Sequence, residues 1–172
     1  MNKSNMVDCC FLITPNSKKN YQKLSTTYSA IEPPTWALLL AQSMRSFGFN
    51  VKILDANAED LNEEMILRKI KDISPRLLCF VVYGQNVNAG TANMSGTIHT
   101  SKFLKEKNID IPICIIGSHV QALPVETLNM EKSIDFVFTN EGVYSLRNIL
   151  KLDNLFPENL KNVKGIAYRE GN

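Results

Sequence analysis

The chain has 172 residues, 44% hydrophobic and 21% charged, the proportions of one packed domain that buries well over half of its unfolded surface without disulfide staples. Lys and Arg number 19 against 17 Asp and Glu, a net charge of +2 with no basic stripe, so the electrostatic attraction that nucleic-acid binders depend on is missing and no nucleic-acid partner is expected. The longest apolar runs, residues 36–41 and 77–83, fall short of the roughly 20 residues that cross a bilayer, and the N-terminus carries no apolar stretch of signal-peptide type. No membrane partner and no obligate oligomer are expected, and the cytoplasm is the expected compartment.

In chain order, short β-rich runs at residues 9–14, 51–54, 77–83, 113–116 and 136–138 alternate with segments at 35–47, 61–73, 92–107, 124–130 and 143–150, where apolar residues recur at spacings of three and four. The runs are too short for helices, and the segments between them carry the helical period. This βα alternation with nearly continuous apolar strands predicts an α/β, doubly wound, flavodoxin-like (Rossmann-like) sheet of five parallel strands with helices on both faces. Pro33-Pro34 opens the first helix, Gly48 follows it, and Ser74-Pro75 and Pro112 precede strands three and four, which matches the usual punctuation of helix ends. Residues 163–169 read as one short extra strand after a polar connection. The expected division is therefore 1–150 for the α/β domain and 151–172 for a linker and the start of a following domain, cut off within an element. The four cysteines, Cys9, Cys10, Cys79 and Cys114, lie in or beside the strand runs without C-x-x-C spacing and are expected as buried reduced thiols.

In such a sheet, ligands bind beyond the carboxyl ends of the strands where strand order reverses. The first connection, residues 15–32, is long and polar, with Lys18, Lys19 and Lys23 reading as a solvated excursion and Tyr21 and Tyr28 as part of an ordered approach to the sheet edge. After strand three, Tyr83, Gly84, Gln85, Asn86, Asn88, Gly90, Thr91 and Asn93 combine small residues with uncharged donors and acceptors, suited to an amide-rich ligand or to a phosphate at a helix start, or to a polar turn with a helix cap. After strand four come Gly117, Ser118, His119 and Ala122, and after strand five Asn140, Glu141 and Gly142, where Glu141 suits either the positive end of the next helix or a ligand contact. His119 has no second histidine, cysteine or carboxylate at ligand spacing, so no protein-held metal is expected. His99, mid-helix, reads as solvated or packing, and Asp55 lacks the glycine fingerprint that a ribose-binding acid requires. No nucleophile elbow, H-E-x-x-H or Cys/His pair occurs, so no catalytic residue is assigned.

Several of these stretches resemble the N-terminal cobalamin-binding domain of cobalamin-dependent radical S-adenosylmethionine enzymes: Ile53-Leu54-Asp55-Ala56, Ile116-Gly117-Ser118-His119 with Ala122 and Pro124-Val125-Glu126, Asp135-Phe136-Val137, Asn140-Glu141-Gly142-Val143-Tyr144, and residues 163–169. The G-G-x-H and G-E-x-E patterns of that family are met in part, with Ile116 in place of the first glycine, and Asn140 and Val143 in place of the outer residues of the second. The resemblance implies cobalamin as cofactor, held by Tyr83, Gly84, Gln85, Asn86, Thr91, Gly117, Ser118, His119, Ala122, Asn140, Glu141 and Gly142. The D-x-H-x-x-G motif is absent, which within the resemblance implies a tail-displaced cobalamin without a histidine lower ligand. The C-x-x-x-C-x-x-C that holds an iron-sulfur cluster is also absent. The resemblance therefore implies a radical S-adenosylmethionine domain in cis, carrying the cluster and S-adenosylmethionine for a methyl-transfer or ring-forming reaction, with this chain not catalytic alone. A free-standing cobalamin carrier, a non-enzymatic flavodoxin-like binding module and a flavin- or nucleotide-binding domain remain the alternatives.

Overall fold

The computed structural model describes residues 6–15, 33–84 and 87–170, with backbone alone at 87–89. Residues 16–32, with Tyr21, Tyr28 and the three lysines, and the site candidates Gln85 and Asn86 lie outside the described residues. Five parallel strands, β1 (Cys9–Ile13), β2 (Val51–Asp55), β3 (Leu78–Val82), β4 (Ile113–Gly117) and β5 (Phe136–Phe138), form a sheet in the order β2-β1-β3-β4-β5. A sixth strand, β6 (Ile166–Tyr168), extends it by pairing antiparallel with β5. The expected doubly wound architecture and the short extra strand are both present.

The sheet is buried on both faces because its side chains alternate with period two and every central strand is apolar on both sides. On one face Leu12, Leu78, Phe80, Val82, Ile113, Ile115 and Val137 pack against α2 (Glu63–Ile73), α3 (Val87–Glu106), α4 (Ser118–Ala122) and α5 (Pro124–Met130). On the other, Phe11, Cys79, Val81, Ile116, Phe136 and Phe138 pack against α1 (Thr35–Ser46), α6 (Val143–Leu150) and the short α7 (Pro157–Leu160). Lys52 is exposed in β2, the outer strand of the sheet, where a charged side chain also deters pairing with another chain.

Most boundaries follow local chemistry. The side chain of Asn62 accepts a hydrogen bond from the Met65 amide at 3.0 Å and caps α2, whose first turn carries Glu63 and Glu64, as the positive helix end favours. Gly48, at φ +87°, turns the chain out of α1. Three elements differ from the periodicity, one of them α7, a single turn within the stretch read as a polar connection. Helix α3 begins five residues before the expected start because its first turns, rich in Asn, Gly, Thr and Ala, carry no apolar stripe to announce a helix, and α4 is a single turn inside a segment read as loop. Beyond residue 150 the chain stays on the sheet: Ser145 Oγ donates to the Lys164 carbonyl at 2.7 Å, and the Arg169 guanidinium donates to the carbonyls of Leu128, at 2.7 Å, and Ile134.

All four cysteines are free and buried. Cys9, Cys79 and Cys114 share one face of adjacent strands, while Cys10 faces the other. Burial pushes the Cys10 thiol from its ordinary 9.0 to about 12, with the Cys79 sulfur adding to the rise and Lys52 opposing it. A thiol whose pKa is raised by folding stabilises the fold below its unfolded pKa and loses that contribution as pH rises through the folded value. The stability difference between wild type and Cys10→Ala, from urea unfolding, is therefore expected to be constant at neutral pH and to shrink between about pH 9 and about pH 12. Phe80, fully buried at the centre of the sheet, is expected to cost about 3–5 kcal/mol in the same assay when replaced by Ala.

Candidate functional site

Strand β1 sends its chain toward α1 and β2 on one side, and β3 sends its chain toward α3 and β4 on the other, so the reversal of strand order falls between β1 and β3. In an open sheet of this kind, the carboxyl ends of the strands at that reversal are where ligands bind. At that end Thr14 Oγ1, just after β1, and Thr97 Oγ1 of α3 form a buried contact, 3.2 Å apart. The same edge carries an aromatic stack: Trp36, on the first turn of α1, lies over Tyr83, with ring centroids 4.5 Å apart and planes 24° from parallel. Such an offset stack adds about 0.5–1.5 kcal/mol beyond area burial.

The loop after β3 is tied to its neighbours through neutral groups. Asn93 Nδ2 donates to the Tyr83 carbonyl at 3.5 Å, and Thr91 Oγ1 lies 3.2 Å from His119 Nδ1. Gln121 Nε2 donates both to Tyr83 Oη at 2.7 Å and to the Asn140 carbonyl at 3.0 Å. One carboxamide on α4 thus joins the loops that follow β3 and β5. Burial pushes the half-buried Tyr83 phenol above its ordinary 10; the Gln121 hydrogen bond opposes that rise, and the Glu141 carboxylate adds to it.

The glycines act by close approach. A Cβ on Gly117 would stand 2.8 Å from the Val82 carbonyl carbon and 3.2 Å from Val82 Cβ, and one on Gly90 would collide with Ser118 Oγ. The carboxyl ends of β3 and β4 therefore approach closely, and α3 passes against the first residue of α4. Gly142, at φ +75°, turns the chain into α6 with the Ile116 side chain against the position of its missing Cβ.

The structure thus brings Tyr83, Thr91, Gly117, Ser118 and His119 together at the carboxyl edge of the sheet, with Asn140 tied to them by its carbonyl. Tyr83 and Gly84 are half-buried, while Ala122 and Glu141 are exposed at the rim. The Asn140 side chain is occupied locally: its Oδ1 accepts from the Gly142 amide at 2.8 Å. Asp55 likewise closes its own turn, accepting from the Ala58 amide at 2.9 Å, and His99 stands on the solvated face of α3, 3.2 Å from Glu63 Oε1. Two residues at the site escaped the sequence reading. Trp36 was legible only as part of an apolar run, although it is the single tryptophan of the chain, and Gln121 belongs to no recognised motif.

A five-stranded parallel core in this order, with mostly uncharged side chains gathered at its carboxyl edge, defines an α/β domain of the doubly wound type. The family model of the B12 binding domain matches residues 21–150, and the chain belongs to that family. It is 28% identical over 138 residues to a curated protein of Pyrococcus horikoshii described as an uncharacterized methyltransferase, PH0819, covering 80% of this chain and 28% of that protein. Among solved structures the fold matches the radical S-adenosylmethionine methyltransferase TsrM from Kitasatospora setae, with cobalamin and a 4Fe-4S cluster bound, at a TM-score of 0.68 and 15% identity over 95% of this chain and 29% of that one. It also matches the cobalamin-dependent S-adenosylmethionine radical enzyme OxsB, with aqua-cobalamin and S-adenosylmethionine bound, at a TM-score of 0.61 and 17% identity over 94% of this chain and 21% of that one. The chain spans less than a third of the length of each of these relatives.

Gly142→Ala forces a side chain into a left-handed backbone position and against Ile116. It is expected to lower stability by about 1–3 kcal/mol, read as a lower urea midpoint with unchanged slope.

Proposed function

We propose that this chain binds cobalamin at the carboxyl ends of β1, β3, β4 and β5 and presents it to a radical S-adenosylmethionine domain of the same polypeptide. The observation that carries the reading is the match of residues 21–150 to the B12 binding domain, and the chemistry of the rim fits the group. A corrin is edged with carboxamides and carries one phosphate in its nucleotide tail. It requires many neutral hydrogen-bond partners, few charges, and walls that backbone approaches closely. Tyr83, Thr91, Ser118, His119 and Gln121 supply such partners, and the tight meetings of Gly117 with Val82 and of Gly90 with Ser118 supply such walls.

When bound, cobalamin supplies a cobalt-centred route for group transfer; the residues of this chain bind and orient it. Gly84, Gln85, Asn86, Ala122, Asn140, Glu141 and Gly142 complete the proposed binding set, with Gly142 and the Asn140 side chain holding the loop in shape. Thr91 of α3 and His119 of α4 meet across the carboxyl edge, where His119 would serve as a hydrogen-bonding wall. We place the cluster and S-adenosylmethionine in the partner domain, since the C-x-x-x-C-x-x-C spacing does not occur among Cys9, Cys10, Cys79 and Cys114. Methyl transfer is the reaction proposed for the whole protein, supported by the methyltransferase descriptions of PH0819 and TsrM. Residues 151–172 are proposed to lead from the cofactor domain toward that partner, with β6 closing the sheet on the way.

The test is incubation with hydroxocobalamin, desalting and a visible absorption spectrum. Retained corrin absorbance of the tail-displaced form is expected, and a colourless chain overturns the reading. In the same titration His119→Ala is expected to weaken binding by about 1–3 kcal/mol; an unchanged curve removes His119 from the site.

A further inference from the structure

The hydrogen-bond polarity at Gln121 has a single solution. Its Nε2 lies 3.0 Å from the Asn140 backbone carbonyl, which only accepts, so the nitrogen end of the carboxamide must face it. The same nitrogen is 2.7 Å from Tyr83 Oη and gives that oxygen its other hydrogen. Tyr83 Oη is therefore an acceptor toward Gln121, and its own proton points elsewhere. Among the described residues, no protein acceptor takes that proton. Tyr83 is also held at three points: Trp36 fixes the plane of its ring, Gln121 sets its hydroxyl, and Asn93 binds its backbone carbonyl.

We propose that Gln121 is a positioning residue that makes Tyr83 a fixed hydrogen-bond donor toward an acceptor oxygen of the bound cofactor, either a carboxamide carbonyl or a phosphate oxygen. The inference rests on the cobalamin reading for the identity of the ligand and on geometry alone for the direction of the proton. Burial supports it by keeping the phenol protonated beyond its ordinary value. A donor locked in place before binding costs less to order when the ligand arrives, so it contributes more to affinity and selects an oxygen over a donor group at that position.

Three variants separate the possibilities. Tyr83→Phe keeps the ring on Trp36 and deletes the donor. Gln121→Glu keeps the size but offers the phenol an acceptor, pulling its proton inward, and Gln121→Leu removes the amide altogether. In the ligand-free chain, the alkaline difference absorbance of wild type against Tyr83→Phe follows ionisation of Tyr83 alone. Gln121→Leu is expected to move that ionisation to higher pH, because the lost amide hydrogen favoured the phenolate. An unmoved titration overturns the assigned polarity whether or not any corrinoid binds. With hydroxocobalamin, quenching of Trp36, the single tryptophan, reports binding. Tyr83→Phe and Gln121→Glu are each expected to weaken binding about tenfold, with ligand-free Trp36 emission unchanged in Tyr83→Phe. Binding within twofold of wild type in both variants overturns the role. Repeating the titration with cobinamide, which lacks the nucleotide and its phosphate, identifies the acceptor: a loss seen only with cobalamin assigns the phosphate, and a loss with both assigns a corrin carboxamide. If wild type retains neither corrinoid, the cofactor reading and the ligand named here fall together, while the direction of the Tyr83 proton is still decided by the titration.

Discussion

Strands β3 and β4 run so close at their carboxyl ends that Gly117 has no space for a Cβ beside the Val82 carbonyl. That approach sets the geometry of everything above it. It lets the backbone after β4 turn at once into α4, which carries His119 toward Thr91 and Gln121 toward Tyr83. A larger residue at 117 would meet the Val82 carbonyl and displace α4 from its contacts with Thr91 and Tyr83. Gly90 repeats the constraint from the other side, where α3 passes against Ser118.

The polar rim is held by hydrogen bonds that span loops, whereas the apolar body is held by burial. Two packed layers, one on each face of the sheet, bury the strands up to their carboxyl ends. Past those ends polar side chains join the segments, Thr14 with Thr97, Asn93 with the Tyr83 carbonyl, and Gln121 with both Tyr83 and Asn140. The neutrality of these groups suits the proposed ligand, edged with amides, better than one carrying several phosphates.

The body of the fold was legible because burial leaves a period in the sequence. Leu78 to Val82 and Ile113 to Ile116 are apolar without a break, as a strand covered on both faces requires, and the helices at 124–130 and 143–150 carry the spacing of one buried face. The same logic hid the start of α3 and the whole of α4, whose sequences of small and polar residues carry no apolar stripe at helical spacing. Tyr83, Gly117 and His119 were legible from their place at or just after a strand end, whereas Thr91, expected in the loop, lies on α3. Gln121 and Trp36 were not legible, because what makes them part of the site is a partner 38 residues away in one case and a ring from another element in the other.

By itself the sequence determined which segments are the five parallel strands, which face of the longer helices is buried, and that the stretches after β3 and β4 are polar and uncharged. These are properties of composition and period, and they survive without knowing which element lies beside which. Only the tertiary structure decided that Gln121 reaches both Tyr83 and Asn140, that Trp36 covers Tyr83, that Asn140 spends its side chain on its own turn, and that β6 returns antiparallel to close the sheet. Each of these depends on a distance between residues far apart in the chain. Such distances are set by the crossing of whole elements over a common core, and no local pattern records them.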